Sequence, residues 1–394
     1  MLLLLREGVA DTRPRRITAA VLLTGAFALR FAVLDYETLD YQNFLTVWVD
    51  FFRRSGGIRA IGTPVGNYNI PYLFFLALCS YLDFPDLYLI KMFSVAFDVV
   101  LSWGCMKLVR HFDRRQNVAL AAFLGALWLP TVFLNGALWG QCDVIYVSLA
   151  VVSLWAAFSG RSRLSLAMIA LSFAFKLQAI FFCPVFLVLL VHKRIPWRQL
   201  WIVPATYVAA VSPAIIAGRD FLETVLLYFT QTDSIGTGLN YNSSSVYAFY
   251  RGGGNEAALA RLGLGAAFIF CGLLLWGLCR RKSVDDRTLL AAFTLCVICV
   301  PLLLPHMHDR YFFGADVMSL VLSLTALPLL PIVPLCSFAS LLGYHAYLKM
   351  KFFLPMKYGA EALIAAALAV TVYMRLSLRK MPPETEEFFP EKGN

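Results

Sequence analysis

Charge is what this sequence has least of: Asp, Glu, Lys and Arg make up 15% of its 394 residues, where an average soluble domain carries about 25%. With 60% of the residues hydrophobic, the chain has more apolar surface than so few charges keep in water, which excludes an ordinary soluble enzyme. Paired cysteine spacing is also missing. The nine cysteines are scattered, mostly within apolar runs, and form neither a disulfide framework nor a Cys/His zinc motif. No internal repeat is visible. No small-residue cleavage site follows the first apolar run, and Arg30 interrupts it, so it reads as a retained helix rather than a signal peptide.

What is there is a succession of apolar runs of about 17–25 residues, each long enough to cross a hydrocarbon core of about 30 Å as a helix. Spans are predicted near 17–34, 87–110, 117–134, 142–158, 163–179, 181–192, 200–217, 262–279, 288–305, 315–330, 332–348 and 359–377. This is an all-α integral membrane protein with about twelve transmembrane helices, in a range of about 11–13. The net charge of +10 does not point to nucleic acid, because the basic residues sit in short clusters between the runs. Arg13/Arg15/Arg16, Lys107 to Arg115, Arg161/Arg163, Lys193/Arg194/Arg198, Arg280 to Lys282 and Arg375/Arg379/Lys380 all fall on one side. That side, with both termini, is expected to be cytoplasmic. Lys349, Lys351 and Lys357 are the exception, an external basic turn.

Residues 1–380 are expected to form one polytopic domain, with 381–394 a disordered cytoplasmic tail. Two external loops are long, about 35–86 and 218–261. The first carries amphipathic stretches at 41–53 and 71–82, read as interfacial helices because a span at 71–82 would invert every later basic loop. The cytoplasmic loops are short, so chemistry is expected outside.

The candidate site residues follow from that topology. LDYETLDYQNF places Asp35, Glu37 and Asp40, followed by Tyr41, just past the first helix, where a carboxylate can take the proton of an attacking hydroxyl. All three acids are candidates for that base, and an N-cap role is the structural alternative. WGQCD puts Gln141 and Asp143 at a helix entry, where they can bind sugar hydroxyls or offset the helix dipole. Lys176, in FAFKLQAIFF, lies near the outer end of an apolar run and can meet a phosphate or snorkel. PHMHDRYFF gathers His306, His308, Asp309 and Arg310, a phosphate-binding set by the fork geometry of Arg and a weak zinc motif. The loop from Gln231 to Asn255 contains Asn240 and Asn242 and has the Asn, Ser, Gly and Tyr content that suits carbohydrate. An ordinary flexible loop has the same content.

In this order the motifs resemble the GT-C glycosyltransferases, especially bacterial proteins related to the mannosyltransferase of glycosylphosphatidylinositol assembly. They are more distantly similar to the dolichyl-phosphate-glucose glucosyltransferases of asparagine-linked glycosylation. LDYQNFLTVW resembles the D-Y-E-A segment that carries their base, which the resemblance assigns to Asp40. NYNIPY, with Asn67 and Tyr68, is similar to their D-Y-P-P segment with Asn67 in place of the acid. GALWGQCD resembles H-F-Q-Y-N and shares Gln141, while FKLQAIFFCP is similar to F-K-Q-M-A-L-Y-Y-x-P and aligns Lys176 and Pro184. MHDR is similar to their V-H-E-K segment, so His308, Asp309 and Arg310 inherit a role at the donor phosphate.

The resemblance runs in consistent order from residue 35 to 313. It implies a GT-C-like bundle and an inverting, metal-independent transfer without cofactor. The donor is a polyprenyl-phosphate-linked sugar, the acceptor a glycan or glycolipid, and the site lies outside a bacterial cytoplasmic membrane, with membrane lipid and no nucleic acid as surroundings. A transporter or flippase of lipid-linked sugars, a glycan ligase or polymerase, and a non-catalytic assembly partner are the alternatives.

Overall fold

The computed structural model describes residues 1–230 and 238–379. The tail expected beyond residue 380 and the first part of the 231–255 loop lie outside the described residues. Helices dominate, and the only sheet among the described residues is a parallel bridge pairing Asn240 with Met307 and Tyr241 with His308.

Among the described residues, six helices are long and apolar enough to cross a membrane: Asp86–Phe112, Trp197–Ile216, Glu256–Cys279, Asp286–Leu303, Leu327–Leu348 and Lys357–Arg379. Gln116–Trp128 and Pro130–Trp139, bent by 47° at their junction, make a seventh if counted as one span. The protein is thus an all-α, multi-pass membrane protein, but this count stands below the expected twelve. The apolar runs are continuous in sequence and interrupted in the backbone. Leu129 precedes a proline and is extended at φ −58°, ψ 124°, as a residue before proline must be. The run predicted at 163–179 stops at Phe175, because Lys176 is extended at φ −155°, ψ 132°. A 3-10 stretch, Leu177–Phe182, and a short helix, Pro184–Val191, follow. Asp143–Phe158, Ser162–Phe175 and Phe313–Thr325 are apolar but shorter than a full span. Arg13–Phe31, the first predicted span, is a 19-residue helix that carries four arginines.

At the centre is Asp143–Phe158, every residue of which is buried, packed between Asp86–Phe112 and Ser162–Phe175. At the periphery Glu256–Cys279 turns Phe268, Ile269, Leu273 and Trp276 outward, an apolar face suited to hydrocarbon. Helix starts follow ordinary capping chemistry. Asp285 accepts from Thr288 N at 2.7 Å and Asn255 from Ala258 N at 3.0 Å.

In the first long loop, helices form at Thr46–Arg54 and Ile70–Cys79. The second has 10 residues and rises about 15 Å, too little to cross a bilayer. It buries Ile70, Tyr72, Leu73, Leu76 and Ala77 against Thr46–Arg54 and Ile202–Ile216.

Two charged side chains tie the first helix down. Arg30 Nε donates to Asp98 Oδ2 at 2.7 Å, while Nη1 reaches Ala26 O at 3.0 Å and Nη2 reaches Leu127 O at 2.9 Å. Lys91 Nζ donates to the carbonyls of Val33, Leu34 and Tyr36 at 3.2, 2.7 and 2.6 Å, gathering the turns that follow the end of the helix at Phe31.

Candidate active site

Two short π-helical turns aim the site. Asp40 stands immediately before Tyr41–Leu45, and Trp139 closes Leu134–Trp139. Single π turns inside α-helical runs shift side chains off the regular face, and they recur at functional positions. Gly140 follows at φ +81°, a left-handed turn that glycine adopts without a Cβ penalty. Gln141 is pinned by its own backbone: its N–H donates to Asn135 O at 2.9 Å, and its carbonyl accepts from Ser94 Oγ at 2.8 Å.

Asp40 is half-buried, and one carboxylate oxygen is fixed. Oδ2 accepts from Trp139 Nε1 at 2.9 Å and from Gln141 Nε2 at 2.5 Å. Gln141 Oε1 in turn accepts from Tyr68 OH at 2.9 Å, so Tyr68 fixes the amide orientation. The Asp40 N–H donates to Tyr347 OH at 2.9 Å, and the Tyr347 ring stacks on Trp139 with centroids 4.1 Å apart.

Asp143 opens the buried central helix with no exposure. Negative charge at a helix N-terminus is favourable, but at this depth it also needs cations. Lys176 Nζ donates to Oδ1 at 2.5 Å, Asn135 Nδ2 donates to Oδ2 at 2.9 Å, and Arg310 Nε stands 3.5 Å from Oδ2. Asn135 also donates to Tyr344 OH at 3.1 Å. The break at Lys176 therefore has a purpose in packing: it turns the ammonium from the helix face towards Asp143.

Arg310 is held loosely. Its Nη1 is 3.5 Å from Asp309 Oδ1, both Arg310 Nε and Asp309 Oδ1 are buried without a hydrogen bond, and its guanidinium carbon lies 5.5 Å from the Trp139 ring centre. Trp139 thus has Asp40 on its indole N–H and Arg310 beside its ring. Burial pushes the Asp309 carboxyl up to about 7, against the pull of Arg310. Burial, with Arg310 and Lys176 adding to it, pushes His308 down to about 4, so its imidazole is neutral at physiological pH.

The segment carrying these groups is shaped by His306, left-handed at φ 60°, whose N–H donates to Leu239 O at 2.9 Å and whose Nδ1 lies 2.7 Å from Gly238 O. His308 stacks on Tyr241 at 4.8 Å. The helix Ile332–Leu348 comes against this segment at Gly343. A Cβ there would stand 2.7 Å from Asp309 O and 2.9 Å from Asn242 O.

The predicted residues therefore divide. Asp40, Tyr68, Gln141, Asp143, Lys176, His308, Asp309 and Arg310 converge. Asp35 and Glu37 are exposed and engaged elsewhere, accepting from Tyr88 OH at 2.6 Å and Gln42 Nε2 at 3.0 Å. Tyr41 is half-buried and Asn67 exposed. Asn240 bonds within its own turn, to Ser243 N at 2.8 Å and Ser243 O at 2.9 Å, and Asn242 sits left-handed at φ 56°. The sequence pattern pointed to no role for Trp139, Asn135, Tyr344 or Tyr347, although Trp139 lies within the GALWGQCD segment and Asn135 immediately precedes it.

Beside Tyr344 runs a groove of about 480 Å³, lined by Leu134, Phe338, Leu342, Leu348 and Phe353, with Lys349 among its walls. Among the described residues no three His, Cys, Asp or Glu side chains gather as a metal site would need. The arrangement offers an oriented carboxylate, two cations and, beside them, an apolar groove.

The model of glycosyltransferase family 87 matches residues 67–305, more than half of the chain. The matched span contains Trp139, Gln141, Asp143 and Lys176 and leaves out Asp40 and His306 to Arg310. No curated protein matches the chain.

Proposed function

The chain belongs to glycosyltransferase family 87, and from that premise we propose that it moves a hexose, mannose or glucose, from a polyprenyl-phosphate carrier to a lipid-linked or cell-envelope glycan. The reaction takes place on the non-cytoplasmic face of a bacterial membrane. The observation that carries this reading is the pairing across one indole: Asp40 on the Trp139 N–H, and Arg310, with its Nε unbonded, beside the ring.

In the proposed reaction the acceptor hydroxyl attacks the anomeric carbon and gives its proton to Asp40. Trp139 and Gln141 hold Oδ2, which leaves Oδ1 to act as base. The bond from the anomeric carbon to the carrier phosphate breaks, and the phosphate departs with the electron pair. Configuration inverts because a single displacement takes place. Arg310 and Lys176 meet the charge that develops on the leaving phosphate, and neutral His308 donates a hydrogen bond to it. Asp143 keeps the two cations in register when no phosphate is bound. The apolar groove beside Tyr344 supports a carrier whose chain stays in the membrane while its phosphate reaches Arg310.

The test is release of polyprenyl phosphate by the purified protein from a panel of polyprenyl-phosphate hexoses, with lipid extracts as acceptors. Acceptor-dependent release, lost in Asp40→Asn, is the expected result. Folded native protein that releases nothing from any donor, yet moves sugar-lipids across liposomes, overturns the reading in favour of a transporter.

A further inference from the structure

At one end of the bundle basic side chains are paired with acids: Lys107 and Arg110 hold Glu7, and His111 and Arg194 meet Asp286. Helix Asp86–Phe112, which carries Lys107 to His111 in its last turns, begins at the opposite end, where Lys91 reaches Tyr36 O. Tyr36 OH donates to Leu348 O at 3.3 Å, so the turn that starts at Lys349 belongs to this second end, with Asp40. Its lysines, Lys349, Lys351 and Lys357, take part in no ion pair among the described residues. The sequence has no acid from 317 to 360, and Asp35 and Glu37, the acids flanking Tyr36, are bonded to Tyr88 and Gln42.

Between the lysines the turn is apolar and held open. Met350, Phe352 and Phe353 are 73%, 57% and 70% exposed. The backbone fixes that exposure: Met350 is left-handed at φ 49°, and the Lys349 N–H donates to His345 O at 3.0 Å. Lys351 O lies 2.9 Å from His345 Nδ1, and the Phe353 ring stands 5.7 Å from the His345 ring. The turn joins two helices long and apolar enough to span a membrane, Leu327–Leu348 and Lys357–Arg379. Its height follows, since the chain leaves and re-enters hydrocarbon within residues 349–356.

Apolar side chains at that level sink into the acyl boundary, and ammonium groups on flexible stems reach the phosphates above. We propose that residues 349–357 dock on anionic phospholipid headgroups beside the active site, with Met350, Phe352 and Phe353 in the leaflet and the three lysines on phosphate. Each lysine near an anionic surface favours it by about fivefold, so an unneutralised set selects anionic over zwitterionic lipid. Bare ammonium groups interleaved with exposed aromatics, without one acid, fit a surface that offers charge and hydrocarbon at adjacent depths. Lys349 and Phe353 also wall the groove beside Tyr344, so lipid held here stands at the groove's edge. Docking sets the height of Tyr347, two residues before Lys349, and through its hydroxyl that of the Asp40 backbone.

The test uses the purified full chain in nanodiscs and needs no sugar substrate, so its failure is separate from failure of the glycosyl-transfer reading. Phe353→Trp adds an indole at the tip, and its fluorescence is read as the difference from native protein. Brominated phosphatidylglycerol or brominated phosphatidylcholine then replaces plain phosphatidylcholine. The expected result is half-quenching at about a tenfold lower fraction of the anionic lipid, a gap that closes in Lys349→Gln/Lys351→Gln/Lys357→Gln and at high salt. If Phe353→Trp does not fold, mass spectrometry of phosphatidylglycerol retained by native protein and shed by the glutamine variant gives the same answer. Equal quenching by both lipids, quenching by neither, or retention unchanged in the glutamine variant overturns the proposal. A turn that retains polyprenyl phosphate and ignores phosphatidylglycerol overturns it in favour of the carrier.

Discussion

Arg30 and Arg310 are both drawn into the helix bundle, and they are used in opposite ways. Arg30, 1% exposed, spends its donors on Asp98 and two backbone carbonyls at 2.7–3.0 Å. Arg310, with its side chain 16% exposed, stands 3.5 Å from each of two carboxylate oxygens and leaves Nε without a hydrogen bond. With one bond from each of its nitrogens, Arg30 ties three stretches of chain together. An open guanidinium beside a charged site is what a phosphate with paired oxygens completes. Both arginines lie largely inside the bundle, so what separates them here is whether Nε is bonded, as in Arg30, or left without a hydrogen bond, as in Arg310.

The contrast can be broken at several points. Asp40→Asn is expected to lower turnover about 10²–10⁴-fold with an unchanged unfolding midpoint. Turnover within a few-fold of native would move the base to Asp35 or Glu37. Arg30→Leu strands Asp98 in the bundle and is expected to cost about 3–5 kcal/mol of stability, read by denaturation in detergent, while Arg30→Leu with Asp98→Leu recovers most of that loss. If Arg30→Leu unfolds at the native midpoint, the fully engaged guanidinium nitrogens of Arg30 are not structural. Arg310→Lys keeps the charge and loses the fork. It is expected to raise the donor KM about tenfold, ~1.4 kcal/mol, at near-native stability, and a donor KM unchanged in this variant would remove Arg310 from the phosphate.

The smallest expected effect is in pH. Below about 7 Asp309 is neutral and leaves Arg310 to a phosphate. Above that it is an anion beside it, so donor affinity is expected to fall a few-fold as pH rises through 7 and to stay flat in Asp309→Asn. The same raised pKa has a linked effect on stability. Relative to its ordinary value of 3.8, Asp309 contributes stability below about 4 that is lost as pH rises to about 7. His308, deprotonated above about 4, does not change charge in that window, and a pH dependence that survives in Asp309→Asn would point to a different group.

Much of this was legible in the sequence where polar residues stood out against an apolar background. Asp40, Gln141, Asp143, Lys176 and the His308 to Arg310 run were conspicuous for that reason, and they meet. The 41–53 and 71–82 stretches announced helices by their amphipathic or apolar pattern, and helices lie close to both. The helix count was less legible, since hydropathy reads composition and is blind to the extended backbone at Leu129 and Lys176. Trp139, Tyr344 and Tyr347 were hidden because an aromatic residue on an apolar helix looks like core whether or not its polar tip is in use. Nor does a sequence say that Arg30 would meet Asp98, 68 residues away, since each is an isolated charge in its own run.

The hydrogen bond from Asp40 to Tyr347 has a consequence for biogenesis. Its partners are 307 residues apart, and the Gly343 contact with the Asn242 and Asp309 turns comes equally late in synthesis. A nascent chain that has already inserted its first helices still lacks Tyr347, which holds the Asp40 backbone N–H, and Gly343, against which the Asn242 and Asp309 turns close. On the proposed function, a product truncated before residue 343 is therefore expected to lack the contacts that complete the site, whatever helices it has already inserted.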